Sequence, residues 1–108
     1  MRLVLTVVQD QDVNRLLSVL TKHGYGATKL ASTGGFLRQG NTTLFLGVED
    51  DKVEEVVDLI KQTCQSRKQM VTPLTSVGRS GGYLPNPVEV TVGGATIFVL
   101  DVLEFSKV

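Results

Sequence analysis

The chain has 108 residues, and its 11 Lys and Arg residues balance its 11 Asp and Glu residues at a formal net charge of zero. This length fits one domain with enough buried surface for a core. The absence of net charge argues against a protein that holds polyanionic nucleic acid by charge alone. With a single cysteine, Cys64, no internal disulfide can form, and with a single histidine, His23, we expect no metal site. No apolar run approaches the roughly 18 residues of a membrane span, so we expect a cytoplasmic protein.

The first half of the chain predicts a strand, a helix and two more strands. Residues 3–8 are apolar on both alternating faces, which is typical of a strand that is buried on both sides. A helix should follow and end near Gly24, because glycine favours helix termination. Its apolar positions recur with helical spacing at Val13, Leu16, Leu17 and Leu20. Residues 25–32 and 42–48 are predicted to form the second and third strands.

The second half predicts another helix and a C-terminal hairpin. The apolar stripe of this helix runs through Val53, Val56, Val57, Ile60 and Cys64. A loop rich in glycine and proline spans residues 73–87. Residues 88–92 alternate as a half-buried strand does, and Gly93-Gly94 then reads as a two-residue hairpin turn into a last strand over residues 95–102.

Acidic residues precede or open both predicted helices. They are Asp10 and Asp12 for the first helix, and Glu49, Asp50 and Asp51 for the second. We interpret them as helix caps and as charges that favour the positive end of the helix dipole. An alternative interpretation of the second group, with Glu54 and Glu55, is an acid/base or divalent-cation site of a small enzyme.

The order β-α-β-β-α followed by a hairpin indicates a ferredoxin-like α+β domain with both helices on one face of the sheet. The other face would remain uncovered in a monomer. Because the first strand is apolar on both faces, an uncovered face of that kind needs a partner surface. We therefore expect a homo-oligomer whose subunits bury these faces together.

The connection between the second and third strands carries the side chains that suit a nucleotide. Gly34-Gly35, Phe36, Arg38 and Asn41 fall within it, and Thr28 precedes it. An aromatic ring can stack on a base, a guanidinium can pair with phosphate, and an amide can read a base edge. Each residue also has an ordinary structural interpretation, such as a turn glycine, a core aromatic or a solvated charge. A purely structural assembly subunit, with Phe36 in a protein contact, is therefore another hypothesis.

Several motifs in order resemble the PII-like cyclic di-AMP receptor family (PstA, DarA, YaaQ). They are residues 8–12 (VQDQD), 27–31 (ATKLA), 33–37 (TGGFL), 40–43 (GNTT), 87–90 (PVEV) and 92–96 (VGGAT), with Phe98-Val99. The resemblance covers nearly the whole chain. It implies a single PII-like domain over residues 1–108, a homotrimer, and ligand sites between subunits. Residues 33–41 would form the T-loop and residues 73–87 the B-loop.

The resemblance also implies roles for individual residues. Thr28 would offer its hydroxyl group, and Ala27, Gly35, Leu37 and Gly47 would offer backbone groups. Phe36 would pack on one adenine, Asn41 would hydrogen-bond a base, and Phe98 would form an apolar wall near the other base. Lys29 and Arg38 are possible phosphate contacts. No catalytic residue, cofactor or metal is implied.

The chain departs from better-known members of that family at two glycines and at its C-terminal residues 105–108, where Lys107 stands at the position of a Gln. Those members have Asn at the position of Gly24 and Arg at the position of Gly26. We therefore keep two hypotheses for the ligand of a non-enzymatic signalling protein. The first is cyclic di-AMP, whose binding would switch the loops and regulate an unidentified partner protein. The second is another adenine nucleotide or a small anion.

Overall fold

The structure is a computed structural model that describes residues 1–30, 40–71 and 87–108. Within these ranges the strands are β1 (Arg2–Gln9), β2 (Thr28–Lys29), β3 (Asn41–Val48), β4 (Arg67–Val71), β5 (Val88–Val92) and β6 (Ala95–Asp101). The helices are α1 (Asp10–Lys22) and α2 (Val53–Cys64), and a 3₁₀ turn, Asp50–Lys52, leads into α2.

Four of the strands form one antiparallel sheet in the order β2-β3-β1-β6. With β4 and β5 set aside, this order is that of a ferredoxin-like domain, in which the first and last strands are neighbours and the third lies between the first and second. The mixed α+β architecture predicted from the sequence is confirmed. The predicted strands over residues 3–8 and 42–48 are present as β1 and β3. Of the strand predicted over residues 25–32, only Thr28–Lys29 forms within the described residues.

One face of this sheet carries the core. Strand residues alternate between faces, and Val4, Val8 and Leu44 lie on the face that meets both helices. The fully or nearly fully buried apolar residues are Val4, Val8, Val13, Leu16, Leu20, Leu44, Leu46, Val48, Val56, Ile60 and Cys64. The predicted helical stripes therefore supply most of the helix side of the core, and Leu17 and Val53 pack at its margin.

The opposite face carries apolar side chains with no helix over them. Leu3, Leu5 and Val7 of β1 are only half-buried there. On β6, Phe98 and Leu100 remain 52% and 46% exposed. The helices thus leave this sheet face uncovered, as the pattern of β1 predicts, although Thr43 on the same face is only 4% exposed.

The predicted C-terminal hairpin is wrong. β5 pairs with β4 in a separate two-stranded sheet, whereas β6 pairs with β1. Gly93-Gly94 is therefore a corner at which the chain passes from one sheet to the other, not a hairpin turn. β4 was not predicted because its polar start, Arg67–Gln69, lacks the apolar alternation of a half-buried strand.

Neither helix is capped by the acidic side chains that we expected. The N-cap of α1 is Gln9 and that of α2 is Lys52, and neither makes a side-chain cap hydrogen bond. Asp10 instead accepts a hydrogen bond from the Thr42 hydroxyl group of β3. At the other end of α1, the predicted stop is confirmed, since Gly24 follows the helix at φ +88°.

Asp12 of α1 joins this helix to the second sheet at the corner. Its side chain is 1% exposed, and its carboxylate accepts hydrogen bonds from Arg67 Nη2 at 2.8 Å and from Arg15 Nη2 at 3.2 Å. The hydrogen bond to the Asp12 carboxylate raises the pKa of Arg67. Arg15 Nη2 also donates to the carbonyl oxygen of Thr63 at 2.7 Å, which ties the end of α2 to α1. A buried carboxylate needs such partners, because an unpaired one is costly to take out of water.

Gly93 is confined by this ion pair. Its φ is +82°, and a Cβ atom there would lie 2.5 Å from Arg67 Nη1 and 2.7 Å from the carbonyl oxygen of Gln65. Gly94 has a similar φ of +91°, but a Cβ atom there would meet nothing within 4 Å. The two glycines thus share one conformational requirement, and only Gly93 adds a steric one.

We expect Gly93→Ala to destabilise the protein more than Gly94→Ala. Each change places a side chain in the left-handed region at a cost of about 1–2 kcal/mol, and only the first also displaces Arg67 from Asp12. Urea unfolding of both variants at one protein concentration measures the difference. Equal losses of unfolding free energy would contradict the steric role of Gly93.

Candidate functional site

The uncovered face of the main sheet brings predicted ligand residues into one row. Thr28 of β2 lies opposite Phe45 of β3, Phe45 lies opposite Leu5 of β1, and Leu5 lies opposite Phe98 of β6. Residues in register across neighbouring strands share a face. Thr28 and Phe98 are therefore at the two edges of the uncovered face, with an apolar floor between them.

The distance between Thr28 and Phe98 determines whether one ligand could contact both residues of the same chain. Three strand spacings separate Thr28 from Phe98, which amounts to about 14 Å. Both side chains are exposed. Within the chain, Thr28 and Phe98 are too far apart to form one compact pocket, and each edge of the face carries only one of these two predicted ligand residues.

Gly47 occupies the next row of the same face, opposite Leu3 of β1. A Cβ atom at this position would meet only the Met1 sulfur, at 3.7 Å, so packing within the described residues does not require a glycine here. The exposed backbone of Gly47 is open to close approach by another molecule.

Asn41 lies at the end of the sheet, where β3 begins. It is half-buried and lies opposite Gln9, the last residue of β1. A cavity of about 250 Å³ opens beside it, and its lining includes Asn41, Gln9, Gly93 and Thr96. This cavity is open to solvent and lies directly beside a predicted ligand residue.

Two predicted residues next to Thr28 are directed elsewhere. Ala27 is half-buried, and its side chain packs against the helix-covered core. Lys29 lies opposite Leu44, on the helix-bearing face, whereas Thr28 lies on the uncovered face. The remaining predicted residues, Gly35, Phe36, Leu37 and Arg38, lie outside the described residues, as do residues 33–39 of the predicted T-loop and residues 73–86 of the predicted B-loop.

Gly24 and Gly26, the two glycine departures noted in the sequence, both have open space around them. A Cβ atom at either position would meet nothing within 4 Å. Gly24 has φ +88°, which glycine adopts readily and asparagine tolerates better than most residues. Local packing therefore does not explain why glycine occupies these positions.

Cys64 and His23, the chain's single cysteine and single histidine, both contact their own helices or the core and lie apart from the uncovered face. Burial raises the pKa of Cys64 to about 11, with the Asp12 carboxylate acting in the same direction, so its thiol is a poor nucleophile. His23 follows α1, and its Nδ1 lies 2.9 Å from the carbonyl oxygen of Val19.

Over residues 1–30, 40–71 and 87–108, no three His, Cys, Asp or Glu side chains come together in a group that could hold a metal ion. In the same ranges, neither helix is long and apolar enough to cross a bilayer.

Leu5 and Phe45 lie outside the motifs from which ligand residues were predicted. Only the strand register shows that these two side chains connect Thr28 to Phe98. Gln9 was noted within a motif but was given no role. Its polarity at the end of an apolar strand is the signal that could have drawn attention to it.

Comparison with known proteins identifies the family of this chain. A protein-family model described as cyclic-di-AMP receptor matches residues 1–108. The chain is also similar to a protein of known structure from Pediococcus pentosaceus ATCC 25745, described as functionally unknown. The two share 39% sequence identity at a TM-score of 0.79, over 99% of this chain and 96% of that chain. Because the family model spans every residue, the chain belongs to the cyclic-di-AMP receptor family.

Proposed function

We propose that this protein is a non-enzymatic signalling receptor that binds cyclic di-AMP between the subunits of a homotrimer. Membership of the cyclic-di-AMP receptor family supports the ligand. The observation that carries the location is the row from Thr28 to Phe98 on the uncovered sheet face. Residues predicted to hold one ligand lie at opposite edges of that face, so two neighbouring subunits can each contribute one edge.

Assembly of the subunits is supported by the exposed apolar surface. Phe98 and Leu100 on β6 are about half exposed. After β6, Leu103 and Phe105 are 100% and 65% exposed. Contiguous apolar surface of this kind is unusual on a monomer and is covered in assemblies. The trimeric state itself follows from the resemblance noted in the sequence.

We expect sedimentation equilibrium at micromolar concentration to give three times the 11.7 kDa subunit mass. Burial of the uncovered sheet face would drive this association. A stable monomer at that concentration would contradict the interfacial site, because one subunit would then have to supply both edges.

The chemistry of the predicted residues suits a cyclic dinucleotide. Phe98 offers an aromatic wall for a base, Asn41 an amide for a base edge, and Gly47 an exposed backbone. Thr28 adds a hydroxyl group. From the predicted T-loop, Phe36 would stack on the other base, with backbone contacts from Gly35 and Leu37 and a cation from Arg38. Lys29 would reach a phosphate only around the edge of β2, since it lies on the other face.

We expect isothermal titration with cyclic di-AMP to show saturable binding near one ligand per subunit, and Phe98→Ala to weaken it about tenfold. Loss of one aromatic contact with a base costs about 1–3 kcal/mol. Val99→Ala is the matched control, because Val99 is the next residue of β6, is 39% exposed and lies on the opposite face. Sedimentation of each variant separates ligand contact from assembly.

Three outcomes of this titration are decisive. No heat with the wild-type trimer would contradict the receptor proposal. Equal effects of the two substitutions would contradict the assignment of the ligand to the uncovered face. Binding of ATP, AMP or cyclic AMP in place of cyclic di-AMP would favour the second ligand hypothesis, which the replacement of Asn and Arg by Gly24 and Gly26 motivates.

A receptor also needs a response. We propose that the bound nucleotide favours one conformation of residues 33–41 and 73–87 and so changes the surface offered to a partner protein. A ligand shifts such an equilibrium only by its difference in affinity for the two conformations. Asn41 connects the cavity at the end of the sheet directly to the first of these segments.

A further inference from the structure

The cavity at the end of the main sheet is lined by a polar side chain, Gln9, that is not among the predicted ligand residues. It lies where β1 ends and where β3 and β6 begin, and has a volume of about 250 Å³. Gln9 lines it directly across from Asn41, with Gly93 and Thr96 on the far side. Gln9 is half-buried at the last position of β1.

Two hydrogen bonds determine which branch of the Gln9 side-chain amide is the oxygen and which is the nitrogen. The backbone nitrogen of Gly93 donates to Gln9 Oε1 at 2.7 Å, and Gln11 Nε2 donates to the same oxygen at 2.9 Å. A backbone N–H group can only donate, so the amide atom that it meets must be the oxygen. The NH₂ group of Gln9 must therefore occupy the other branch of the amide, away from Gly93.

This NH₂ group is a donor without an acceptor in the described part of the chain. Gln9 makes two hydrogen bonds there, and both use its oxygen. Asn41, across the strand pair, adds a second neutral amide to the same cavity. None of the described residues that line the cavity is charged. The cavity thus offers neutral hydrogen-bond donors, which suit an acceptor such as a phosphodiester oxygen or a purine ring nitrogen.

We infer that Gln9 is a nucleotide-binding residue, whose NH₂ group donates to an acceptor of bound cyclic di-AMP beside Asn41. This inference rests on the proposed function and extends its site from β3 to β1 and to the Gly93 corner. Because Gly93 holds the Gln9 oxygen, the donor is already oriented before the ligand arrives. Binding then does not have to fix the end of this side chain, which lowers the entropic cost.

The test is Gln9→Glu, titrated with cyclic di-AMP. A carboxylate keeps an oxygen for Gly93 and Gln11, so the corner of the fold retains its hydrogen bonds. It cannot donate at neutral pH, and it places a negative charge toward the ligand. We expect the dissociation constant to rise by at least about tenfold, with the thermal midpoint and the assembled mass unchanged. Gln62→Glu, on the exposed side of α2, is the charge-matched control and should bind within about twofold of wild type.

The two possible acceptors give different salt dependence. If the acceptor is a phosphodiester oxygen, the new carboxylate faces an anion, and the loss of affinity should shrink as salt is added. If it is a purine nitrogen, the loss should change little with salt. Either result agrees with the inference and identifies the atom.

A second measurement avoids dependence on the folding of a variant. In uniformly ¹⁵N-labelled wild-type protein, the side-chain NH₂ resonances of Gln9 should shift and exchange more slowly with solvent at saturating cyclic di-AMP, and those of Gln62 should not. Unaltered affinity in Gln9→Glu would overturn the inference about Gln9 and leave the proposed function standing. Unaltered Gln9 resonances in a saturated wild-type protein would do the same. Absence of binding by the wild-type protein would overturn both the inference and the proposed function.

Discussion

The main sheet is apolar on two faces, and the two helices cover only one of them. Val4 and Val8 of β1 pack beneath α1 and α2, while Leu3, Leu5 and Val7 of the same strand face the other way. Burial of apolar area is the main favourable term in folding and association, so an uncovered face of this kind is a surface for other molecules. In our account, other copies of the chain and cyclic di-AMP share that face.

The corner at Gly93 connects the architecture to the proposed ligand site. The buried Asp12 carboxylate holds Arg67 at the start of β4, and Arg67 leaves space only for a glycine at position 93. The backbone nitrogen of Gly93 in turn orients Gln9 in the cavity beside Asn41. A few polar contacts thus position both the second sheet, which leads into residues 72–86, and the side chains that line the cavity.

The sequence predicted those features that follow from apolar periodicity and local backbone preference. The stripes from Val13 to Leu20 and from Val53 to Cys64, the two-sided pattern of β1 and the helix end at Gly24 are all in the structure. The sequence did not predict the features that depend on contacts between residues far apart in the chain. β4 exists because β5 lies beside it, and Gly93-Gly94 turns between sheets because Arg67 and Gln65 lie against it. Asp12 resembles a helix cap in sequence but pairs with an arginine 55 residues away. For the site, the motifs named Thr28, Asn41 and Phe98, but only the strand register shows that Thr28 and Phe98 share a face.

The most direct test of this account is a map of the nucleotide on the protein, by backbone amide chemical shifts with and without saturating cyclic di-AMP. The account predicts that the largest changes follow the uncovered face and its end, at Thr28, Asn41, Gly47 and Phe98. It predicts small changes along the exposed sides of α1 and α2. Changes concentrated on the helices, with Thr28 and Phe98 unaffected, would contradict it.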